Sequence, residues 1–213
     1  RLARLAALPL LLAALAGCQT TTSGQSPTTS PLRSEPIPPE GSAMGLREGA
    51  APTMRWGTRK GGDAWTQEVL AALESDGVNL IQAVPGDVAT YCPGFASADV
   101  QERKAFWAGF LSSLAKHEST WNPQAKGGGG KWLGLMQIAP STWRGYRCTG
   151  EILDGGADPL GTAVRIMNKQ VGRDGVIAGG GTQGVGRDWA PMRSASKRAD
   201  SAGWTRKQAY CAG

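Results

Sequence analysis

The sequence predicts a predominantly α protein built as a single globular domain. Trp107, Phe110, Leu111 and Leu114 recur at steps of three and four, the spacing that stacks side chains along one helix face. Leu160, Ala163, Val164, Ile166, Met167 and Val171 form a second such face. Alternating apolar and polar runs, the mark of half-buried strands, are sparse.

Taken in order, the elements begin with a helix. Trp65, Val69, Leu70 and Leu73 sit at helical spacing before Asp76-Gly77 and predict a short amphipathic helix. Val78 to Val84 is an apolar run closed by Pro85-Gly86, compatible with a short helix or an extended piece. Tyr91-Cys92-Pro93 reads as a turn. Asp99 is an expected N-cap, and Glu102 three residues later completes a capping box. The helix that follows, from about 100 to 118, stops before Asn122-Pro123, because the residue preceding proline avoids the α region. Gly127 to Gly130 is a loop. Met136 to Ile138 and Ser141 to Tyr146 predict a helical stretch interrupted at Pro140, with Ser141 able to cap its second part. Asp158 before Pro159 is an N-cap followed by the residue favoured at the first helical position, and it opens the helix to Val171. Gly179 to Gly186 is a second glycine-rich loop. Trp189, Met192, Trp204 and Tyr210 lie among many cations beyond it, without a pattern that assigns structure.

The N-terminal part reads differently. Arg1 and Arg4 precede an apolar stretch from Leu5 to Ala14 that is too short to span a bilayer. It ends in Leu15-Ala16-Gly17-Cys18, which resembles the lipobox of bacterial lipoproteins. That resemblance implies a signal peptide over 1–17 and a lipid on Cys18, hence a membrane partner. Gln19 stands where an Asp acts as the inner-membrane retention signal of enteric bacteria, so the expected location is the outer membrane, facing the periplasm. Residues 18–62 are rich in Thr, Ser and Pro with few large apolar side chains. Such a segment does not offset its ordering entropy and is expected to be a flexible tether, leaving 63–213 as the folded domain.

Charge and cysteine content narrow the function classes. The net charge of +6 comes from scattered residues. No basic run is interleaved with aromatics, so nucleic acid is not an expected partner. Weak attraction to anionic envelope surfaces and simple solubilisation both fit. With Cys18 acylated, Cys92, Cys148 and Cys211 predict one disulfide and one free or intermolecular thiol. The pairing is not legible, although a Cys92–Cys211 bridge would staple the two ends of the domain. One histidine and the lack of Cys-x-x-Cys leave no zinc site. The glycine runs lack the Lys-Ser/Thr of a phosphate loop. No metal or cofactor is expected.

The chemistry centres on Glu118. It continues the Leu111–Leu114 stripe at the end of an apolar helix, where desolvation and the negative helix end both favour a protonated carboxyl. A group poised in this way can donate a proton to a leaving oxygen near neutral pH. Glu118-Ser119-Thr120-Trp121-Asn122-Pro123-Gln124-Ala125, a glycine-rich gap, Gly134-Leu135-Met136-Gln137-Ile138 and Pro140-Ser141-Thr142 resemble the signature of lytic transglycosylases. These are the soluble-lytic-transglycosylase type of glycoside hydrolase family 23, with a lysozyme-like fold, and Asp158-Pro159 fits their downstream pattern.

The resemblance implies an enzyme acting on peptidoglycan. Glu118 is then the single acid/base that cleaves the MurNAc–GlcNAc β-1,4 bond and yields a 1,6-anhydromuramyl product. It implies that Ser119 lies beside the cleft near the acetamido group, that Gln137 donates to and accepts from the sugar, and that Leu135 and Met136 supply apolar surface. The family's Ala-Tyr-Asn, whose tyrosine orients the glutamate, is absent. Gly184 to Arg193 stands in its place, where Trp189 is a candidate for stacking on sugar and Asp188 or Arg187 for the orienting role. Trp121 and Trp132 are further candidates for the cleft lining or for buried packing. His117 is expected to point about a hundred degrees away from Glu118 around the helix. Asp154 and Asp158 are candidates for a second carboxylate. Two alternatives follow: a muramidase that hydrolyses the same bond, and a non-catalytic peptidoglycan-binding lipoprotein.

Overall fold

Asp99 and Glu102 start the central helix as the sequence predicts. In the computed structural model Glu102 N–H donates to Asp99 Oδ1 (2.9 Å) and Asp99 N–H to Glu102 Oε2 (3.1 Å). The structure describes residues 51–148, 150–153 and 158–212, together with the backbone of 33–34. The expected signal peptide, Cys18 and most of the tether lie outside the described residues.

The chain runs β1 (Arg33–Ser34), α1 (Gly62–Asp76), α2 (Val78–Gln82), β2 (Ala83–Val84), α3 (Val88–Tyr91), α4 (Val100–Ser119), β3 (Lys126–Gly127), β4 (Trp132–Leu133), α5 (Pro140–Gly145), α6 (Pro159–Asp174) and α7 (Ala195–Thr205). Short 3-10 turns fill the gaps. The fold is predominantly α, as expected. Both readings of the Val78–Val84 run hold in succession, since α2 passes directly into β2, which pairs antiparallel with β1.

Helix α4 is the core. Every residue from Arg103 to Ala115 is buried, so the helix is enclosed on all sides rather than along one stripe. Phe95, Phe106, Trp107 and Phe110 meet around it edge to face. Arg103 has no exposed surface. Its guanidinium donates to the carbonyls of Ala96, Ala98 and Ile81 at 2.9–3.1 Å and lies over the Phe95 ring. Hydrogen bonds to several carbonyls offset the cost of burying the charge.

The packed body starts earlier than residue 63. Met54 and Trp56 belong to the core, Trp56 with no exposed surface and its Nε1–H donating to Thr66 Oγ1 (3.0 Å). An isolated tryptophan in a polar segment carries no periodicity, so composition alone places the boundary too late. Between α4 and α5 the structure departs from the expected helix. The glycine-rich gap is a β3–β4 hairpin, and residues 134–137 form a turn closed by the Leu133–Ile138 bridge. Gly134 and Gln137 are left-handed, with φ of 74° and 48°, which no α-helix accommodates. Helix α5 begins at Pro140 with Ala139 as N-cap, so Ser141 sits inside its first turn and does not cap it.

Cys92 and Cys211 are joined, closing a loop of sequence separation 119. Among the described residues no cysteine is a free thiol, which corrects the expectation of a spare one. Among the described residues no helix is long and apolar enough to cross a membrane.

Two neighbouring carboxyl groups, Glu68 and Asp158, stand where α1 packs on α6. Asp158 caps α6 through Gly161 N–H (2.7 Å) and accepts from Arg165 (3.1 Å), while Glu68 Oε1 accepts from Leu160 N–H (3.2 Å). Burial, followed by the neighbouring Asp158 carboxylate, pushes Glu68 up to about 8. Asp158 is therefore a structural cap and not a second carboxylate of the site; Asp154 lies outside the described residues. Because the folded pKa exceeds the ordinary value, Glu68 stabilises the fold at acid pH. That contribution is lost as pH rises toward about 8. Glu68→Gln is expected to remove the loss, raising alkaline stability relative to wild type by roughly 2–4 kcal/mol. Urea unfolding at pH 5 and pH 9 reads the change; an unaltered pH dependence counts against a raised Glu68 pKa.

Candidate active site

Glu118 occupies the last turn of α4, and the backbone reverses immediately after it. Thr120 and Trp121 adopt left-handed φ values of 54° and 60°, a conformation that costs a non-glycine residue roughly 1–2 kcal/mol. The left-handed cap, two residues before Asn122, is what terminates the helix. Trp121 packs back on α4, its Nε1–H donating to Ser112 O (2.9 Å) and Arg59 covering its ring. It is a buttress and not part of the cleft lining.

The Glu118 carboxyl opens into a cleft of about 550 Å³ lined also by His117, Trp132, Gln137, Asp188, Trp189, Ala190, Pro191, Arg193 and Lys197. Burial at the helix end pushes Glu118 up to about 7, opposed by the positive charge of Lys197. No hydrogen bond to the carboxylate forms among the described residues, so desolvation acts without a stabilising donor.

The hairpin forms the near wall. Trp132 is 47% exposed at the cleft. Its six-membered ring lies where a Cβ on Gly128 would stand, and Gly128 is left-handed at φ 55°. Gln137 follows the tight turn, and both hydrogens of its amide go to backbone carbonyls, Gly134 O (2.8 Å) and Ala125 O (3.2 Å). This fixes the amide orientation and leaves Oε1 as its free function. The expectation of both donor and acceptor is thereby corrected to acceptor alone.

The remaining expected contacts divide sharply. Met136 has no exposed surface and Leu135 almost none, so neither side chain reaches a ligand. They are core residues, and the apolar character that suggested sugar contact reflects packing. Ser119 turns its hydroxyl back to Ala115 O (3.2 Å), a common habit of serine in helices, and does not line this cleft. Trp189 does line it, but with only 3% of its surface exposed. Its Nε1–H donates to Met136 O (2.9 Å), so it bolts the far wall to the Leu135–Gln137 turn. Arg187 pairs with Asp174 through Nε and Nη2 and is excluded from an orienting role. Asp188, exposed and held by Gln170, is the second carboxylate of the cleft.

Sequence reasoning missed the contribution of the C-terminal region. His117 faces the cleft and is held by Asp200 (Nε2 to Oδ2, 2.8 Å). Burial lowers its pKa, with Asp200 opposing, which favours a neutral ring. Asp200 also accepts from Arg55 (2.7 and 2.9 Å) and approaches Lys116 (3.3 Å), so one carboxylate ties the N-terminal strap, α4 and α7 together behind the site. Arg193 and Lys197 complete the rim. Their region has no apolar periodicity, and only the i to i+4 spacing of two cations hinted at a shared direction. Among the described residues no three His, Cys, Asp or Glu side chains gather to hold a metal.

Comparison with known proteins bears on the fold and on the segment around Glu118. Residues 96–159 match the family model described as the Transglycosylase SLT domain, a span that includes Glu118 and Gln137 but stops short of the far wall. Three solved structures of one protein, DslA, share the fold. The wild-type form is 26% identical with a TM-score of 0.67, covering 76% of this chain and 99% of that one. Two glutamate-to-glutamine variants of DslA match with TM-scores of 0.65 and 0.66 over the same shares. No curated protein matches. Residues 96–159 are thus similar to a Transglycosylase SLT domain, and they lie within a predominantly α, lysozyme-like fold.

Proposed function

We propose that this protein is a peptidoglycan lytic transglycosylase that uses Glu118 as its one acid/base. The observation that carries the reading is the carboxyl at the end of the enclosed helix, held near neutral pKa by burial and open to a cleft. Glu118 donates its proton to the oxygen bridging N-acetylmuramic acid and N-acetylglucosamine, and the acetamido group of the muramyl residue assists departure. The carboxylate so formed takes the proton of the muramyl 6-hydroxyl as that oxygen attacks C1. The enzyme ends protonated as it began, no water is consumed, and the product is a 1,6-anhydro sugar. Trp132 offers an aromatic face to a sugar ring, and Gln137 Oε1 accepts from a hydroxyl or amide.

Asp188 supports a second reading. A second carboxylate lining the cleft could activate water, as in inverting hydrolysis, which makes the protein a muramidase. Digestion of purified sacculi followed by mass spectrometry separates the two. Muropeptides lighter by one water are expected; reducing-end products alone overturn transglycosylation in favour of hydrolysis.

The same reading includes a place. Cys18 is acylated, the enzyme is held at the outer membrane, and it works on the wall from the periplasmic side with the Thr/Ser/Pro-rich segment as spacer. Intact mass of the mature N-terminal peptide tests the anchor: a lipid adduct on Cys18 is expected, and an unmodified Cys18 excludes it.

A further inference from the structure

His117 carries the one imidazole of the chain, and the cleavage chemistry makes no use of it. It lines the cleft beside Glu118, with its side chain 13% exposed. The ring is clamped from behind. Nε2 stands 2.8 Å from Asp200 Oδ2, and Asp200 also accepts from Arg55 at 2.7 and 2.9 Å. The Arg55 guanidinium, aided by Lys116, holds the Asp200 carboxyl well below the usual carboxylate range. A carboxylate accepts and does not donate, so the proton between the two groups sits on Nε2. The bond made by one ring nitrogen fixes the state of the other. Burial lowers the pKa of His117; Asp200 opposes this, while Lys116 and Arg55 add to it. The ring is therefore mainly neutral at pH 7, and Nδ1 keeps its lone pair. Nδ1 makes no hydrogen bond among the described residues, and it is not one of the buried polar atoms left without a partner there. It is an acceptor open to what enters the cleft. The other charged groups around the cleft are Glu118 on the same helix, Lys197 on α7, and Asp188 and Arg193 on the far wall.

An acetylated amino sugar presents hydroxyl and acetamido N–H donors. We propose that His117 binds the glycan directly, Nδ1 accepting from a hydroxyl or acetamido N–H beside Glu118, with Asp200 as the positioning residue that keeps the ring in the accepting tautomer. The proposal rests on the peptidoglycan reading of the same cleft. It adds an acid limit that Glu118 does not supply. Protonation at Nδ1 replaces the lone pair by a hydrogen, so binding weakens as pH falls below the ordinary histidine range. One hydrogen bond of this kind is expected to contribute roughly threefold to tenfold in affinity.

Binding tests it without cleavage. Untagged Glu118→Gln protein, labelled with ¹⁵N-histidine, is titrated with a soluble tetrasaccharide of alternating N-acetylglucosamine and N-acetylmuramic acid. With one histidine in the chain, its two ring nitrogen signals need no assignment. The free protein should show the tautomer protonated at Nε2, and saturation should move the Nδ1 signal in the direction of an accepted hydrogen bond. By linkage, the tetrasaccharide should also lower the pH at which His117 titrates by about 0.5–1, the same threefold to tenfold seen from the proton's side. In the same background His117→Gln keeps a donor for Asp200 but has no counterpart of Nδ1. It should bind roughly threefold to tenfold more weakly at pH 7.5 and lose the weakening at acid pH. Binding that leaves Nδ1 and its titration unmoved, or that His117→Gln does not diminish, overturns the proposal and leaves the peptidoglycan reading intact. No binding at all overturns both. Wild-type digestion of sacculi, run in parallel, reports on cleavage separately: a moved Nδ1 signal with sacculi left uncut sinks the enzyme and leaves the contact standing.

Discussion

Glu118→Gln is expected to fold normally and to release products from sacculi at least about a thousandfold more slowly than wild type. A positioned general acid contributes ~10²–10⁴-fold, and here one carboxyl serves both proton transfers. Glutamine keeps the shape and loses the proton. The substitution also removes a desolvated ionisable group. With a folded pKa of about 7, Glu118 favours the fold while protonated, and that contribution is lost as pH rises through 7. The amide does not ionise, so the variant is expected to be more stable than wild type above pH 7, by about 1–3 kcal/mol after allowance for partial exposure. In wild type, kcat/KM should fall as pH rises past about 7, since the acid form is the competent one. Turnover within tenfold of wild type, or a variant that loses stability at pH 8, removes Glu118 from the mechanism.

Replacing Cys92 and Cys211 by alanine is expected to give the largest loss of stability. The bridge closes a loop of sequence separation 119, and chain-entropy estimates for a loop of that size give about 4–5 kcal/mol. The bond also holds the last residues against the body. Cys211 and Tyr210 are buried, and Tyr210 reaches Thr53 O through its hydroxyl (3.2 Å). Loss of the bridge therefore loosens the C-terminal turn and the residue 51–56 strap together. Guanidinium unfolding of the double variant, and of wild type under reductant, measures the effect. A change below about 1 kcal/mol would mean that the packing of Tyr210 and Cys211 holds the ends without covalent help.

The parts that were legible in the sequence are those governed by local rules. The Asp99–Glu102 box, the Asp158-Pro159 start of α6 and the apolar face of that helix depend on neighbours within one turn. Glu118 was legible because its stripe and the segment after it form one continuous pattern. Illegible were the parts set by distant partners. Trp56 enters the core alone, and no periodicity announces it. Met136 to Ile138 reads as part of a helical stretch, whereas left-handed Gly134 and Gln137 and the Leu133–Ile138 bridge decide its shape. Leu135 and Met136 carry the same apolar signal whether they face ligand or interior, and only their burial separates the two. Helix α7 has few large side chains, so nothing in its composition placed Lys197 opposite Glu118.

The segment that leads into the far wall of the cleft is held by main chain more than by side chains. Asp87 gathers the amide N–H groups of Ile177, Ala178 and Gly179 at 2.6–3.0 Å. Gly184 is left-handed at φ 50°, with the carbonyls of Val176 and Ile177 where a Cβ would stand. A contour written in peptide groups cannot be adjusted one residue at a time. Any natural or engineered change in what this groove admits must therefore enter through the few positions that project from it, from Asp188 to Lys197, or by exchanging the whole segment.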